Sequence, residues 1–377
     1  MQKPQLVASE RDLAGLLDGL AREPILAVDT EAASFHRHHD RIYLIQVSSR
    51  DHTAILDPLA LPDLSGFGAL LANPKIEVVF HDADYDLRLF DHQYGFRAAR
   101  IFDTRVAAEF LGEPGLGLAA LLERHFGVRM DKRFQRADWS ARPLTPEMLA
   151  YAAADTAHLV GLRDLMRQRL EDVGRHAWAE EEFEALRSVR WTTDPDREPG
   201  WLRIKGAKQL TPRELAILRE VYGWRNETAS KLDRAEFRIL GNEAMMAIVE
   251  RRPATVEELA EVRGIGQETL QRRGKTIVAA VARALKLPED ALPRLERPKR
   301  RPRELEFEAR LARLKGARVD ITARLGLESG VAAPNALLEA VAKAAPSTRK
   351  ELATLPEIRR WQVEAFGDDL LAALKNP

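Results

Sequence analysis

Asp29 and Glu31 close the apolar run Ile25–Val28 at i, i+2 spacing, and on a strand that spacing puts both side chains on one face. Two carboxylates held so close repel each other unless a positive charge lies between them. A hard divalent cation such as Mg2+, which prefers oxygen ligands, fills that role. Alone, the pair reads more simply as turn or capping acids after a strand. A second group, His81–Asp86 (HDADYD), directly follows the run IEVVF. Asp82, Asp84 and Asp86 are all candidates there, and Asp82 or Asp84 also suits a helix N-cap; the spacing does not choose among them. A third group pairs Tyr151 with Asp155 across three alanines. At i, i+4 the two lie on one helix face, which equally suits a packed core helix with an outward Asp. A phenol beside a metal-bound carboxylate can orient an attacking water, although a pKa near ~10 makes it a poor base unaided.

These groups need a scaffold, and the hydrophobic pattern supplies one. Ile25–Val28, Ile42–Val47, Thr53–Leu56 and Ile76–Phe80 read as short buried strands. Tyr85–Gln93, Leu116–Phe126 and Pro146–Arg169 read as helices, the last opened by Thr145-Pro146 with Glu147. The order indicates an α/β domain. Thr192–Gly200 (TTDPDREPG) is polar and rich in Pro and Gly, as a linker is, and everything after it reads as helical. That second half repeats itself at an offset of 93 residues. Asn242, Pro253, Thr255, Glu258, Leu259 and Gly274 match Asn335, Pro346, Thr348, Glu351, Leu352 and Gly367. The register predicts two tandem copies of one small helical module. Arg297–Arg303 (RPKRRPR) between them is an extended cationic linker, read equally as a solvated spacer or as a strap that contacts phosphates.

The chain has 377 residues with 58 basic and 58 acidic side chains, a formal net charge of zero. The zero is a cancellation: residues 1–200 carry 24 Lys and Arg against 33 Asp and Glu, and residues 201–377 carry 34 against 25. Such asymmetry points to a nucleic-acid partner for the basic half. The absence of cysteine excludes disulfide scaffolds, thiolate metal sites and cysteine nucleophiles. The N-terminal stretch MQKPQLVASERDL has no apolar signal core, and no run reaches the ~18 apolar residues of a membrane span.

Asp-x-Glu on a strand, Asp on a following helix and Tyr-x3-Asp on a later one resemble the DEDD exonuclease superfamily in its Tyr-containing branch. VDTE, IYLIQVS, VVFHDADYDL, FDTRVAAEFLG and DKRFQRADWSARPLTPEMLAYAAADT together resemble the bacterial ribonuclease D family across roughly residues 20–170. YGWRNETASKLDRAEFRILGNEAMMAI and VEELAEVRGIG resemble an HRDC domain. The second copy is more degenerate and lacks the Trp-Arg pair at the matching place.

The resemblance implies an α/β ribonuclease H-like exonuclease domain, a mixed sheet with flanking helices, over residues 1–192 with a linker to about 207. Two all-α HRDC-like domains follow at 208–288 and 304–377, joined by the basic segment 289–303. It implies a 3′-5′ exoribonuclease releasing 5′-mononucleotides, with tRNA precursors as partners, acting as a cytoplasmic monomer with no membrane association. It assigns Asp29, Glu31, Asp86 and Asp155 as ligands of two divalent ions, Mg2+ or Mn2+, and Tyr151 as the residue that orients the attacking water. Of the three candidates after the strand, it selects Asp86. Asp103 is read as structural, Lys132, Trp139 and Arg142 as substrate-side or packing residues, and His36, His38 and His39 as a solvated loop at the pocket rim. The competing readings are a DNA-directed exonuclease of the same superfamily and a non-catalytic nucleic-acid-binding scaffold.

Overall fold

The structure, a computed structural model, describes residues 4–192, 198–295 and 305–375. The predicted strand Ile25–Val28 runs on through both acids, so that β2 spans Ile25–Ala32. With β1 (Gln5–Val7), β3 (Ile42–Ser48), β4 (Thr53–Leu56), β5 (Glu77–Phe80) and β6 (Ile101–Asp103) it forms a mixed sheet in the order β1-β4-β3-β2-β5-β6. β3 is antiparallel to β2 and β4, whereas β5 is parallel to β2 and β6. β5 pairs only with Ile25–Ala27 and then turns away, which leaves the Asp29–Glu31 end of β2 open on that side.

Among the described residues, eight helices flank the sheet: α1 (Glu10–Leu20), α2 (Ser65–Leu71), α3 (Asp84–Tyr94), α4 (Thr104–Phe110), α5 (Leu118–Phe126), α6 (Pro146–Ala157), α7 (Leu159–Asp172) and α8 (His176–Leu186). One apolar core lies under α1, α2 and α3, around Leu16, Phe67 and Phe90; another lies under α4, α5, α7 and α8, around Phe102, Leu162 and Phe183. The single helix expected over Pro146–Arg169 is two, α6 ending and α7 beginning around His158 at φ −111° and ψ −2°. Asp103, with one carboxylate, accepts backbone N–H bonds from Asp82, Ala83, Arg105 and Val106. It thereby fixes the turn before α3 and caps α4, the structural role expected of it.

The second half contains the repeated module twice. The first copy has α9 (Pro212–Leu232), α10 (Glu236–Ile239), α11 (Asn242–Arg251), α12 (Val256–Ala260) and α13 (Gln267–Leu285). The second has α14 (Leu305–Leu325), α15 (Ser329–Ala332), α16 (Asn335–Ala344), α17 (Arg349–Leu352) and α18 (Arg360–Lys375). Equivalent contacts recur at the predicted offset. Thr255 caps Glu258 N–H, and Thr348 caps Glu351 N–H, each at 3.2 Å. One expectation is corrected here. The second copy loses only the Trp, replaced by Ala317, and keeps the arginine as Arg318. The reason is structural: Arg225 Nη1 ties Asn242 Oδ1 at 2.9 Å to the Leu240 carbonyl, and Arg318 Nη1 ties Asn335 Oδ1 at 2.9 Å to the Ala333 carbonyl.

Both modules dock on the nuclease fold, in different places. Trp361 of α18 stacks on Trp178 of α8 with ring centroids 4.9 Å apart and meets Phe110 edge-on at 5.1 Å. Glu181 accepts the Arg360 and Trp361 N–H bonds at 2.8 and 3.1 Å. The second module and the α4–α8 face thus share one apolar core. The first module grips the loop after β2. Asp233 Oδ1 accepts the N–H groups of His38 and His39, both at 3.2 Å, and His38 Nδ1 lies 2.8 Å from Glu236 Oε1. The histidine loop is therefore not a free solvated loop but a docking element. The cationic segment Arg297–Arg303 and most of the linker after Thr192 lie outside the described residues.

Candidate active site

β2 carries two of the acids because its alternation delivers them to one face, with Asp29 opposite Gln46 and Glu31 opposite Leu44 on β3. The register shifts between Glu31 and Ala32, and the ladder closes one pair later at Ala32 and Ile42. α6 crosses the same face and supplies the third acid. Its Thr145 cap and Pro146 start fix the entry, and the small Ala152 and Ala153 are buried against the sheet, so the backbone approaches closely enough for Asp155 to meet the β2 acids. Ligand oxygens of Asp29, Glu31 and Asp155 lie within 4.8 Å of one another.

Asp86 comes from the first turn of α3 and is buried. It is not one of that trio. Its Oδ1 accepts a short hydrogen bond from Thr30 Oγ1, the hydroxyl between the two β2 acids. The other two aspartates of its group point elsewhere. Asp84 forms an i, i+4 ion pair with Arg88 at 2.6 Å, and Asp82 sits in left-handed geometry at φ 67°, 3.5 Å from Arg105. Geometry thus separates three residues that spacing could not.

The electrostatics are those of an uncompensated anionic cluster. Burial, then the charge of Asp155, pushes the Asp29 carboxyl well above the usual range. Glu31 is raised by burial and by Asp29, Asp155 and Asp86 in turn. Asp86 is raised by burial and by Asp29. Asp155 is pushed up to about 7 by burial and by Asp86. Among the described residues, no cationic side chain lowers Asp29, Glu31 or Asp155, and none is among the main influences on Asp86. Packed carboxylates without a protein counter-charge, all hard oxygen donors, fit a divalent metal ion.

Tyr151 lies over the cluster on a floor of aromatic rings, 5.9 Å from Trp139 and 5.8 Å from Phe134 between centroids. Burial and the charges of Asp155, Glu31 and Asp29 push its phenol far up, so it stays protonated. Trp139 is buried beneath it. Arg142 clamps this loop to the sheet through two 2.7 Å bonds to Asp57 and one of 2.8 Å to the Trp139 carbonyl. Both residues serve packing and positioning, while Lys132 is exposed. Thr30 and Phe134 escaped the reading of the sequence. A threonine between two acids carries no signal of its own, and Phe134 acquires its place only through the fold.

Residues 4–171 match the family model for 3′-5′ exonucleases, and residues 214–281 and 307–374 each match the HRDC domain. The chain is 33% identical over 376 residues to ribonuclease D of Gluconacetobacter diazotrophicus, covering 98% of this chain and 92% of that protein. The solved structure of Escherichia coli RNase D, an exoribonuclease involved in structured RNA processing, is similar with a TM-score of 0.71 and 28% identity, over 99% of this chain and 98% of that one. A solved protein from Bifidobacterium adolescentis has a TM-score of 0.86 at 25% identity, over 99% and 97%. A third of all residues shared along nearly the whole of both chains settles the relationship: this chain belongs to the ribonuclease D family and is a 3′-5′ exoribonuclease.

Proposed function

We propose that the Asp29–Glu31–Asp155 cluster, with Asp86 beside it, hydrolyses the 3′-terminal phosphodiester of RNA, releases 5′-mononucleotides and trims tRNA precursors. The observation that carries this reading is the gathering of three carboxylates within 4.8 Å with no cationic partner among the described residues. Asp29, Glu31, Asp86 and Asp155 are the residues that hold two divalent ions, Mg2+ or Mn2+. When bound, such ions acidify an attacking water and offset the negative charge that builds on the phosphate. Tyr151 Oη, which keeps its proton, is a hydrogen-bond partner for that water and fixes its line of approach. Thr30 Oγ1 holds the Asp86 carboxylate in place, and the Trp139–Phe134 floor holds the phenol.

In this reading residues 1–192 are the catalytic domain with a linker to about 207, 208–288 and 304–377 are the HRDC domains, and 289–303 joins them. The excess of basic side chains after residue 200 supports an RNA-holding role for that half. The enzyme works as a monomer in the cytoplasm; no helix among the described residues is long and apolar enough to cross a membrane. The deciding experiment is 3′ trimming of a short tRNA precursor and a sequence-matched DNA with Mg2+ or Mn2+, comparing wild type with Asp29→Asn. Metal-dependent release of 5′-mononucleotides from RNA, absent in the variant, is expected. Faster trimming of the DNA would overturn the substrate assignment, and wild-type turnover in Asp29→Asn would overturn the metal assignment.

A further inference from the structure

Phe35 follows Glu31 by four residues, on the loop that the first HRDC module grips. It does not stand alone. Phe237 of α10 meets it edge-on, with ring centroids 6.1 Å apart and 75° between planes. A hydrophobic pair formed only to join two domains would bury its rings. These remain open, Phe35 at 45% and Phe237 at 54% exposure. The seam around them is nonetheless firmly fixed: Ala235 N–H donates to the His36 carbonyl at 3.1 Å, and Arg238 Nε to the Phe35 carbonyl at 2.6 Å.

Each ring also carries a guanidinium. Arg136 lies over Phe35 at 5.1 Å from the centroid, and Arg238 over Phe237 at 5.8 Å. Neither has an acidic partner among the described residues, in a chain where neighbouring arginines such as Arg37 and Arg133 do. Exposed aromatic faces beside unpaired cations are what single-stranded nucleic acid requires, the rings for bases and the guanidinium groups for phosphates.

We infer that Phe35 and Phe237, with Arg136 and Arg238, form a composite subsite on which a base upstream of the 3′-terminal nucleotide stacks. Half of it comes from the nuclease domain and half from the first HRDC module. The inference rests on the reading that an RNA 3′ end enters the Asp29–Glu31–Asp155 cluster. The first module is then a wall of the substrate groove and not only a tethered binding domain.

The test uses the 377-residue chain carrying Asp29→Asn, expected to bind without cleaving, and RNA oligomers of roughly two to ten nucleotides carrying one 2-aminopurine at successive positions. Affinity is expected to step up once the strand reaches the seam, with fluorescence quenched at one interior position. Adding Phe237→Ala removes the quenching and weakens binding of the longer oligomers about 5- to 100-fold; Phe237→Trp restores both. Phe237 is exposed, so the variants keep the fold, which circular dichroism checks. Binding of long oligomers within about twofold of the parent by Phe237→Ala, with quenching retained, overturns the subsite. Equal weakening at every length with no position-specific quenching overturns it too. Hydrolysis of the same oligomers by the wild-type chain with Mn2+ is scored separately, and its absence would count against the exonuclease reading, whatever the stacking result.

Discussion

Trp361 lies face to face with Trp178, at 4.9 Å and 23° between planes, and joins the last helix of the chain to the core of the nuclease fold. Trp361 is 2% exposed. Trp361→Ala is expected to cost about 3–5 kcal/mol, measured by urea unfolding. The loss should separate one cooperative transition into two as the second module releases α8. A cost under about 1 kcal/mol would show that the stacking adds little to the docking.

The crowded carboxylates make the metal-free protein less stable than its fold allows. An acid whose folded pKa is raised binds its proton more tightly folded than unfolded, so its penalty appears as pH rises. For Asp155 the window runs from the ordinary 3.8 to about 7. Without metal, Asp155→Asn should match wild type near the bottom of that window and exceed it by about 1–4 kcal/mol above the top. Denaturant titrations across the range give the difference directly. Mn2+ or Mg2+ should raise the melting temperature of wild type and do so much less in the variant.

Asp29→Asn is expected to lower hydrolysis by about a thousandfold or more while leaving circular dichroism unchanged. Tyr151→Phe should lower kcat by about a hundredfold yet keep the metal-dependent rise in melting temperature. An unchanged rate in Tyr151→Phe would reduce the residue to packing.

Asp233 sits in left-handed geometry at φ 43° while it accepts from His38 and His39. Asn tolerates that backbone and retains an acceptor oxygen, whereas Ala does neither. Asp233→Ala should therefore cost about 1–3 kcal/mol and expose the His38 and His39 amides to hydrogen exchange. Asp233→Asn should retain most of their protection.

The catalytic domain was legible where its residues announce themselves by type. Asp29 and Glu31 end an apolar run, and Tyr151 and Asp155 share a helix face whatever lies around them. Asp86 was not chosen by physical reading, since Asp82, Asp84 and Asp86 look alike until Arg88 and Arg105 occupy the first two. β1 and β6, three residues each, are too short to show a period. The break at His158 is hard to see because the apolar spacing continues through Leu159, Val160 and Leu162 without a proline to mark a stop. The docking of the second module was equally hidden: at helical spacing, an apolar residue that faces a neighbouring domain looks the same as one that faces its own core.

Docking by the last helix also has a consequence for synthesis. Trp361 Nε1 bonds Glu182 Oε1 at 3.3 Å across a separation of 179 residues. At ~5–20 residues per second on the ribosome, roughly 10–40 s pass between the emergence of Glu182 and that of its partner. Throughout that interval the nascent nuclease domain presents the Phe110–Trp178 face to water and to other chains. A chain that stops short of Trp361 leaves the Phe110–Trp178 face without the rings that cover it.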